Sequence, residues 1–155
     1  MTKMESPIKL LDDKTDPATK QILENVVKRK RKFELYKKRH TATIWVTISV
    51  VSLFFLYLYF TIASNYSYSF AAMFSAFVND TNNLTFLTAT VGMYGYMNLL
   101  KGKKEKAEKE FHDLRCEIVD RSKDLWRKED AWKNRHLVFE MMKKNYDINL
   151  YHEKK

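Results

Sequence analysis

The chain has 155 residues, with 28 Lys and Arg against 19 Asp and Glu, and a formal net charge of +9. Three Gly and two Pro leave little material for turns or sheets, so the composition favours long helices over a β-rich fold. The one cysteine, Cys116, excludes an internal disulfide framework and any CxxC metal or redox motif.

The first forty residues predict an arm followed by a helix. Residues 1–15 mix charged and apolar side chains without a sustained period, so we expect a flexible arm or a short docking segment. Asp16-Pro17 predicts a helix start, because Asp caps free backbone N–H groups and Pro is tolerated in the first turn. Residues 16–40 are therefore predicted to form a basic amphipathic cytoplasmic helix. Its apolar stripe contains Ile22, Val26, Phe33 and Tyr36.

An uncharged apolar run follows directly. Residues 41–63 contain no Asp, Glu, Lys, Arg or His and consist mostly of Val, Ile, Leu, Phe and Tyr. A helix of this length covers about 34 Å, which exceeds a hydrocarbon core of about 30 Å. A soluble core helix would carry a polar face, and this run has none. The sequence therefore predicts a first transmembrane helix that continues the preceding one without a break.

A dense basic cluster precedes this span, with eight Lys and Arg within residues 28–39. Basic flanks are retained on the cytoplasmic side, so we expect the N-terminus inside and an anionic inner leaflet as a partner. A secretory signal peptide fits less well, because the leading region and the apolar run are both too long. No nucleic-acid partner is expected, since no recognition motif accompanies the cluster. The membrane-orienting residues are predicted to be Lys28, Arg29, Lys30, Arg31, Lys32, Lys37, Lys38, Arg39, Lys101, Lys103 and Lys104.

Residues 64–83 are polar at both ends and rich in aromatic residues between. Phe70, Met73 and Phe74 have the spacing of a short helix with one apolar side. An interfacial helix, a re-entrant segment and a simple loop all remain open interpretations. Asp80, the one charged residue within residues 41–100, is interpreted as a solvated loop acid in preference to a transport residue.

A second uncharged run, residues 84–100, is long enough for about 26 Å of helix. Small side chains recur on one of its faces, and in lipid such a face allows a neighbouring helix to approach closely. We expect Ser49 and Ser52 of the first span to meet it. The span-packing residues are predicted to be Thr85, Thr88, Gly92 and Gly95. The lysines that follow return the chain to the cytoplasm, so the predicted fold is all-α: an integral membrane helical hairpin of two transmembrane helices, with long amphipathic cytoplasmic helices at both ends and both termini inside.

Residues 101–145 predict one charged cytoplasmic helix, and residues 146–155 a tail. Apolar residues recur every seven positions, but the companion heptad positions include Arg121 and Lys128, so only half a coiled-coil seam is present. This stripe needs a partner, and the candidates are the stripe of the N-terminal helix and a second copy of the protein. The predicted association residues are Phe111, Leu114, Ile118, Leu125, Trp132 and Phe139.

No catalytic, cofactor or metal signature is present in the sequence. The four histidines, His40, His112, His136 and His152, have no spacing that places two beside a carboxylate on one helix face. Phosphate-binding and nucleophile motifs such as GxxxxGK[ST] and GxSxG are absent. We therefore expect a protein without cofactors that is not an enzyme.

The whole layout resembles a known family. The order of basic helix, span, short aromatic outer segment, second span and charged helix is similar to that of the YpbF family, small two-span membrane proteins of Bacillus-type bacteria. The stretch VKRKRKFELYKKRH, residues 27–40, carries the resemblance most directly. The function of that family is uncharacterised, so the resemblance implies a two-span layout and transfers no site residues.

Two functional hypotheses follow from this layout. The first is a non-enzymatic adaptor or small subunit of the cell membrane that presents its cytoplasmic helices to a second copy or to another membrane protein. The second is an oligomeric transport or channel component, assembled through the small-residue face of the second span.

Overall fold

The computed structural model describes residues 6–9, 11 and 15–151, and every regular element in those ranges is helical, as the sequence predicts. In chain order the elements are α1 (Ser6–Lys9), α2 (Pro17–Leu58), a π-helical turn (Tyr59–Ala63), α3 (Phe70–Asn79), α4 (Thr81–Asp120), α5 (Ser122–Leu125) and α6 (Glu129–Tyr146). The chain divides into two compact units. Unit 1 comprises Met1–Leu35 with Lys104–Lys155, and unit 2 comprises Tyr36–Lys103.

Unit 1 is a helical bundle in which α4 runs antiparallel to α2. The Lys32 Nζ lies 3.1 Å from the Glu110 Oε2. At the other end, the Thr19 hydroxyl donates to the carbonyl oxygen of Leu125 at 3.3 Å. Later residues of α2 therefore meet earlier residues of α4, so the antiparallel pairing predicted for these two helices within unit 1 is confirmed.

The third helix of unit 1, α6, runs parallel to α2. It starts shortly after Leu125, which lies beside Thr19, and ends beside Asp147, which Lys30 contacts at 3.2 Å. Asp147 itself adopts the left-handed conformation (φ 55°, ψ 38°), and its N–H donates to the Lys143 carbonyl. Asp and Asn tolerate this conformation better than most residues, so Asp147 ends α6 and turns the chain back onto the bundle.

One apolar core fills unit 1. Burial of such side chains contributes most of the favourable free energy of folding. Its buried members come from α1, α2, α4, α6 and the segments around them: Ile8, Leu23, Val26, Val27, Phe111, Ile118, Trp126, Ala131, Val138, Phe139, Met142, Ile148 and Leu150.

The predicted single helix over residues 101–145 is wrong. Helix α4 ends at Asp120, one short turn follows as α5, and α6 begins at Glu129. Trp126 lies off the seven-residue repeat, and the chain reversal buries it to 2% exposure. The new start carries a local signal, because Glu129 and Asp130 place negative charge in the first turn of α6, where the helix dipole favours it.

Both ends of the chain are also more ordered than predicted. The prediction of a flexible arm at residues 1–15 is wrong for Ser6–Lys9. This segment forms α1, in which Ile8 is completely buried. The prediction of a tail at residues 146–155 is wrong for residues 146–151, because Ile148 and Leu150 are both core residues. The remaining parts of the two predictions, residues 1–5, 10, 12–14 and 152–155, lie outside the described residues.

Unit 2 is a helical hairpin. Its two arms are the part of α2 after Leu35 and the part of α4 before Lys104, and α3 lies between them in sequence. The rings of Phe54 and Phe86 stack with centroids 5.9 Å apart, and the Tyr57 ring lies 6.1 Å from that of Phe86. Residues 64–83, for which three interpretations were open, contain α3, whose N-cap Ser69 accepts a hydrogen bond from the backbone N–H of Ala72.

Among the described residues, one helix is long and apolar enough to cross a membrane by length and composition, the 47 residues of Pro17–Ala63. Residues 84–100 of α4 are not apolar enough to meet the same criterion. The reason is compositional, because Thr, Gly, Tyr and Asn interrupt the Leu, Phe, Val and Met of that segment.

Candidate functional site

The exposed surface of unit 2 is strongly apolar. Large apolar side chains with high exposure run along α2, α3 and α4, and they include Leu53 at 66%, Phe60 at 68% and Phe70 at 79%. All the exposed large apolar residues of the described chain lie in unit 2 except Leu35, Leu137 and Tyr151. Unit 1 has the opposite distribution, since its apolar side chains form a closed core.

The first half of the predicted basic cluster is bound into unit 1. The Lys28 Nζ lies 2.9 Å from the carboxylate of Glu24, which is itself buried. Arg29 donates to the backbone carbonyl of Glu110 at 3.0 Å, and Lys32 donates to its carboxylate at 3.1 Å. The hydrogen bond from Lys32 holds the pKa of Glu110 below its usual range. Arg29 and Lys32 therefore join α2 to α4 in addition to carrying charge, whereas the Lys28–Glu24 pair lies within α2.

Lys30 contacts three elements of unit 1. Its ammonium group lies 3.5 Å from Glu34 on α2 and 5.5 Å from the centre of the Phe111 ring on α4. It also donates to both the carboxylate and the backbone carbonyl of Asp147, at 3.2 and 3.3 Å. The Lys30 side chain is only 14% exposed, so it stabilises the end of α6 from within the bundle.

Replacing Lys30 by Gln is expected to lower the free energy of unfolding of unit 1 by about 1 kcal/mol, because the cation–π contact and the charged hydrogen bonds to Asp147 are lost. Pulse proteolysis of the full chain across a urea series measures the change. Lys38→Gln is the matched control, since Lys38 is an exposed lysine of the same cluster. Equal midpoints for the two variants would show that Lys30 acts as a surface charge only.

The other predicted orienting residues lie at the surface. Arg31, Lys37, Lys38, Arg39, Lys101 and Lys103 are exposed, and Lys104 is partly exposed. Most of them flank residues 41–100, which contain no basic residue. Their membrane-orienting role stays a prediction.

The predicted association residues belong to the core of their own chain. Phe111, Ile118 and Phe139 are buried, and Leu114, Leu125 and Trp132 pack against the same cluster. Of the two predicted partners for this stripe, the apolar stripe of α2 in the same chain is thus confirmed. Because the chain reverses after α4, α6 also packs against α4 within the same chain. Three core members in residues 126–138 lie off the seven-residue repeat, and sequence reasoning missed them: Trp126, Ala131 and Val138. Met142, at a companion position of the repeat, is buried in the same core.

The small-residue face of α4 does not pack within unit 2. Thr85, Thr88, Gly92 and Gly95 are all exposed, and a Cβ added at either glycine would meet no side chain within 4 Å. The expectation that Ser49 and Ser52 meet this face is wrong, since both are exposed as well. A different face of α4 is shielded, formed by Asn83, Thr90, Met93, Met97 and Leu100.

A polar cavity of about 570 Å³ lies in unit 2 between the π-helical turn, α3 and the start of α4. Its polar lining consists of Thr61, Tyr66, Ser75, Asn79, Asp80 and Asn83. A cavity of this volume is in the range of small-molecule sites.

Asp80 occupies the junction between α3 and α4 in this cavity. Its Oδ1 accepts a hydrogen bond from the backbone N–H of Asn82 at 2.9 Å, and its Oδ2 accepts one from the Tyr57 hydroxyl at 3.4 Å. The residue is partly buried. Its interpretation as a solvated loop acid is therefore incomplete, because the carboxylate caps α4 and contacts the first helix of the hairpin.

Asn83 is the most buried polar residue of the cavity wall, at 1% exposure. Its Nδ2 donates to the carbonyl of Phe77 at 3.2 Å, while its Oδ1 has no hydrogen-bond partner among the described residues. A buried acceptor without a partner costs on the order of 1–3 kcal/mol. No group of three or more His, Cys, Asp or Glu in the described part of the chain is placed to hold a metal ion.

Comparison with known proteins gives a family. Residues 22–153 match a family model described as "Protein of unknown function (DUF2663)". The chain belongs to this family. It is also 41% identical to "Uncharacterized protein YpbF" of Bacillus subtilis (strain 168) over 152 residues, which cover 98% of this chain and 100% of the relative. The resemblance to YpbF-like proteins is thus confirmed, and no solved structure matches.

Proposed function

We propose that this protein is a non-enzymatic integral membrane protein whose unit 2 crosses the cell membrane twice, with both termini cytoplasmic. Unit 1 is then a folded helical domain in the cytoplasm that serves as an adaptor or as a small subunit of a larger complex. The partners of unit 1 on this proposal are a second copy or another membrane protein.

The contrast between the surfaces of the two units carries the proposal. Only 11% of the most apolar window of Pro17–Ala63 is buried, which is unlike the core helix of a soluble protein. Exposed leucine and phenylalanine side chains such as Leu53 and Phe70 cover unit 2, and soluble monomers rarely expose contiguous apolar patches of more than a few hundred Å². A bilayer accommodates this surface without cost.

The charge pattern supports the direction of insertion. Lys37, Lys38 and Arg39 precede the first apolar run, Lys101 and Lys103 follow the second, and no basic residue lies between them. These exposed residues place positive charge at the same membrane face at both ends of the hairpin. They also provide an attraction to an anionic inner leaflet of about 1 kcal/mol for each residue near the surface.

The adaptor role has a different basis from the one that the sequence indicated. The aromatic stripe of α4 and α6 is used to fold unit 1, so it does not offer an apolar docking surface. The outer faces of the bundle are instead charged, with pairs such as Glu117–Arg121 at 3.2 Å and Glu129–Lys133 at 3.0 Å. Recognition by a partner would therefore depend on charge complementarity and on ionic strength.

Single-cysteine labelling tests the topology. In a Cys116→Ser background, Ser67→Cys is expected to react with a membrane-impermeant maleimide in intact protoplasts, because it lies in the exposed segment between the π-helical turn and α3. Lys123→Cys, exposed between α4 and α6, should react only after permeabilisation. Labelling of both positions in intact protoplasts, or of neither, would contradict the two-span topology.

The transport hypothesis rests on the small-residue face. The open space beside Gly92 and Gly95 leaves that face available to a neighbouring helix from another copy. Assembly of several hairpins through it is the second candidate function.

A further inference from the structure

We propose that the polar cavity of unit 2 binds the primary ammonium group of a small organic amine of about the size of ethanolamine, supplied free or as a lipid headgroup. The cavity belongs entirely to unit 2, so the inference goes beyond the proposed function and does not require the adaptor role.

The charge of the cavity selects a cation. Asp80 is the only ionisable Asp, Glu, Lys, Arg or His within residues 41–100, and it lines the cavity. The Tyr57 hydroxyl contacts one carboxylate oxygen at the long distance of 3.4 Å, and the backbone N–H of Asn82 contacts the other. Each carboxylate oxygen has two lone pairs, so both retain capacity for a further donor.

The neutral groups of the lining include several oxygen atoms that can accept a hydrogen bond from a ligand. The Asn83 Oδ1 is buried without a partner among the described residues. The Asn79 Nδ2 already donates to the Ser75 Oγ at 3.2 Å, and the Thr61 hydroxyl already donates to the carbonyl of Tyr57 at 2.7 Å. The amide oxygen of Asn79 and the hydroxyl oxygen of Thr61 therefore remain as acceptors for a ligand that brings its own protons.

A primary ammonium group matches this lining. It carries one positive charge and three N–H donors, which suits one carboxylate together with neutral oxygens such as that of Asn83. A cavity of about 570 Å³ has room for an ammonium group and a short carbon chain, and Ile62, Ala72 and Ala76 give it apolar wall for that chain. An anion is excluded by Asp80.

The π-helical turn contributes to the shape of the wall. Its Ser64 N–H donates to the Tyr59 carbonyl at 2.9 Å, five residues earlier, in place of the usual four. Such turns are frequent at functional sites because they displace the side chains that follow. Here the turn supplies both Thr61 and Ile62 to the cavity.

Isothermal titration of the full-length protein in a neutral detergent tests the proposal, with ethanolamine hydrochloride as the probe at constant ionic strength. We expect saturable binding of ethanolamine, and binding of tetramethylammonium and of Na⁺ that is at least about tenfold weaker, because neither of these cations has an N–H donor for the oxygens of Asp80 and Asn83. Equal affinity for tetramethylammonium or Na⁺, or no saturable binding of ethanolamine, would overturn the proposal.

Two variants locate the binding. Asp80→Asn keeps a good N-cap residue for α4 and removes the charge, so it should retain native helicity while binding ethanolamine at least about tenfold more weakly. Asn83→Ala should weaken binding as well, whereas Asn82→Ala, at an exposed position outside the cavity, should not. Unchanged affinity in a folded Asp80→Asn variant would show that the cavity is not the site, and an Asn83→Ala variant that binds normally would have the same meaning.

Binding measurements in lipid nanodiscs distinguish a free amine from a lipid headgroup as the ligand. With phosphatidylglycerol and phosphatidylcholine discs, free ethanolamine should bind as it does in detergent. Replacing phosphatidylcholine by phosphatidylethanolamine should reduce the apparent affinity for free ethanolamine if the headgroup is the ligand, and should leave it unchanged if the free amine is the ligand. Loss of binding in both kinds of disc would contradict the proposal.

Discussion

Replacing Leu53 by Arg is expected to prevent stable insertion of unit 2 into the membrane, whereas replacing Leu137 by Arg is expected to have little effect. Both leucines lie on helices, and both are exposed, at 66% and 54%. An arginine near the middle of a transmembrane helix costs about 2.5–3.5 kcal/mol in insertion, while an exposed helix position in water tolerates it. The pair therefore separates a lipid-facing leucine from a water-facing one.

Membrane fractionation followed by an alkaline wash measures this prediction. The wild-type protein and Leu137→Arg should remain in the membrane pellet, and Leu53→Arg should be released or degraded. If Leu53→Arg fractionates like the wild type, or if the wild type is found in the soluble fraction, residues 41–63 do not cross the membrane. Leu35→Arg serves as a second control, because Leu35 is exposed on the same helix as Leu53, α2, but belongs to unit 1.

Replacing Trp126 by Ala is expected to lower the free energy of unfolding of unit 1 by about 3–5 kcal/mol, through lost apolar burial and the cavity that remains. Trp126 is 2% exposed, and its ring lies edge-on to that of Phe139 with centroids 5.5 Å apart. Trp132→Ala is the matched control. Trp132 is only partly buried at the edge of the core, and the Arg135 guanidinium lies 3.6 Å from the centre of its ring, so its loss should cost less, about 1 kcal/mol.

Pulse proteolysis of the full chain in detergent measures both tryptophan variants under the same conditions. A loss of 3–5 kcal/mol is a large fraction of the stability of a small domain, so Trp126→Ala should be cleaved within unit 1 at low urea concentration. A larger loss for Trp132→Ala than for Trp126→Ala would mean that α4 continues through residue 128 and that the seven-residue repeat, with Trp132 on its seam, determines the packing.

Much of the helical content is predictable because its signals are local. Asp16-Pro17 marks the start of α2, and the absence of Gly and Pro afterwards agrees with a helix that continues to Leu58. The turn at Arg121–Lys128 had a weaker signal, the acidic pair Glu129 and Asp130, which competes with an uninterrupted apolar repeat. Periodicity alone therefore favoured the wrong, continuous helix.

The polar cavity illustrates what sequence reasoning reaches and what it does not. Asp80 is conspicuous in the sequence, because it is the one charged residue within residues 41–100. Asn83 is not conspicuous, because Asn is common in loops and at helix starts. Only the packing of α3 against the start of α4 buries Asn83 and leaves its Oδ1 without a partner among the described residues.

The sequence by itself determined the helical class, the uncharged run at residues 41–63 and the basic residues beside it, because length, composition and charge act through local chain properties. The tertiary structure alone decided which apolar residues meet. Ile8 and Leu150 come from opposite ends of the chain and share one core, and the reversal at α5 brings Trp126 into it. Burial of this kind depends on contacts between residues distant in sequence, and no periodic pattern along the chain encodes them.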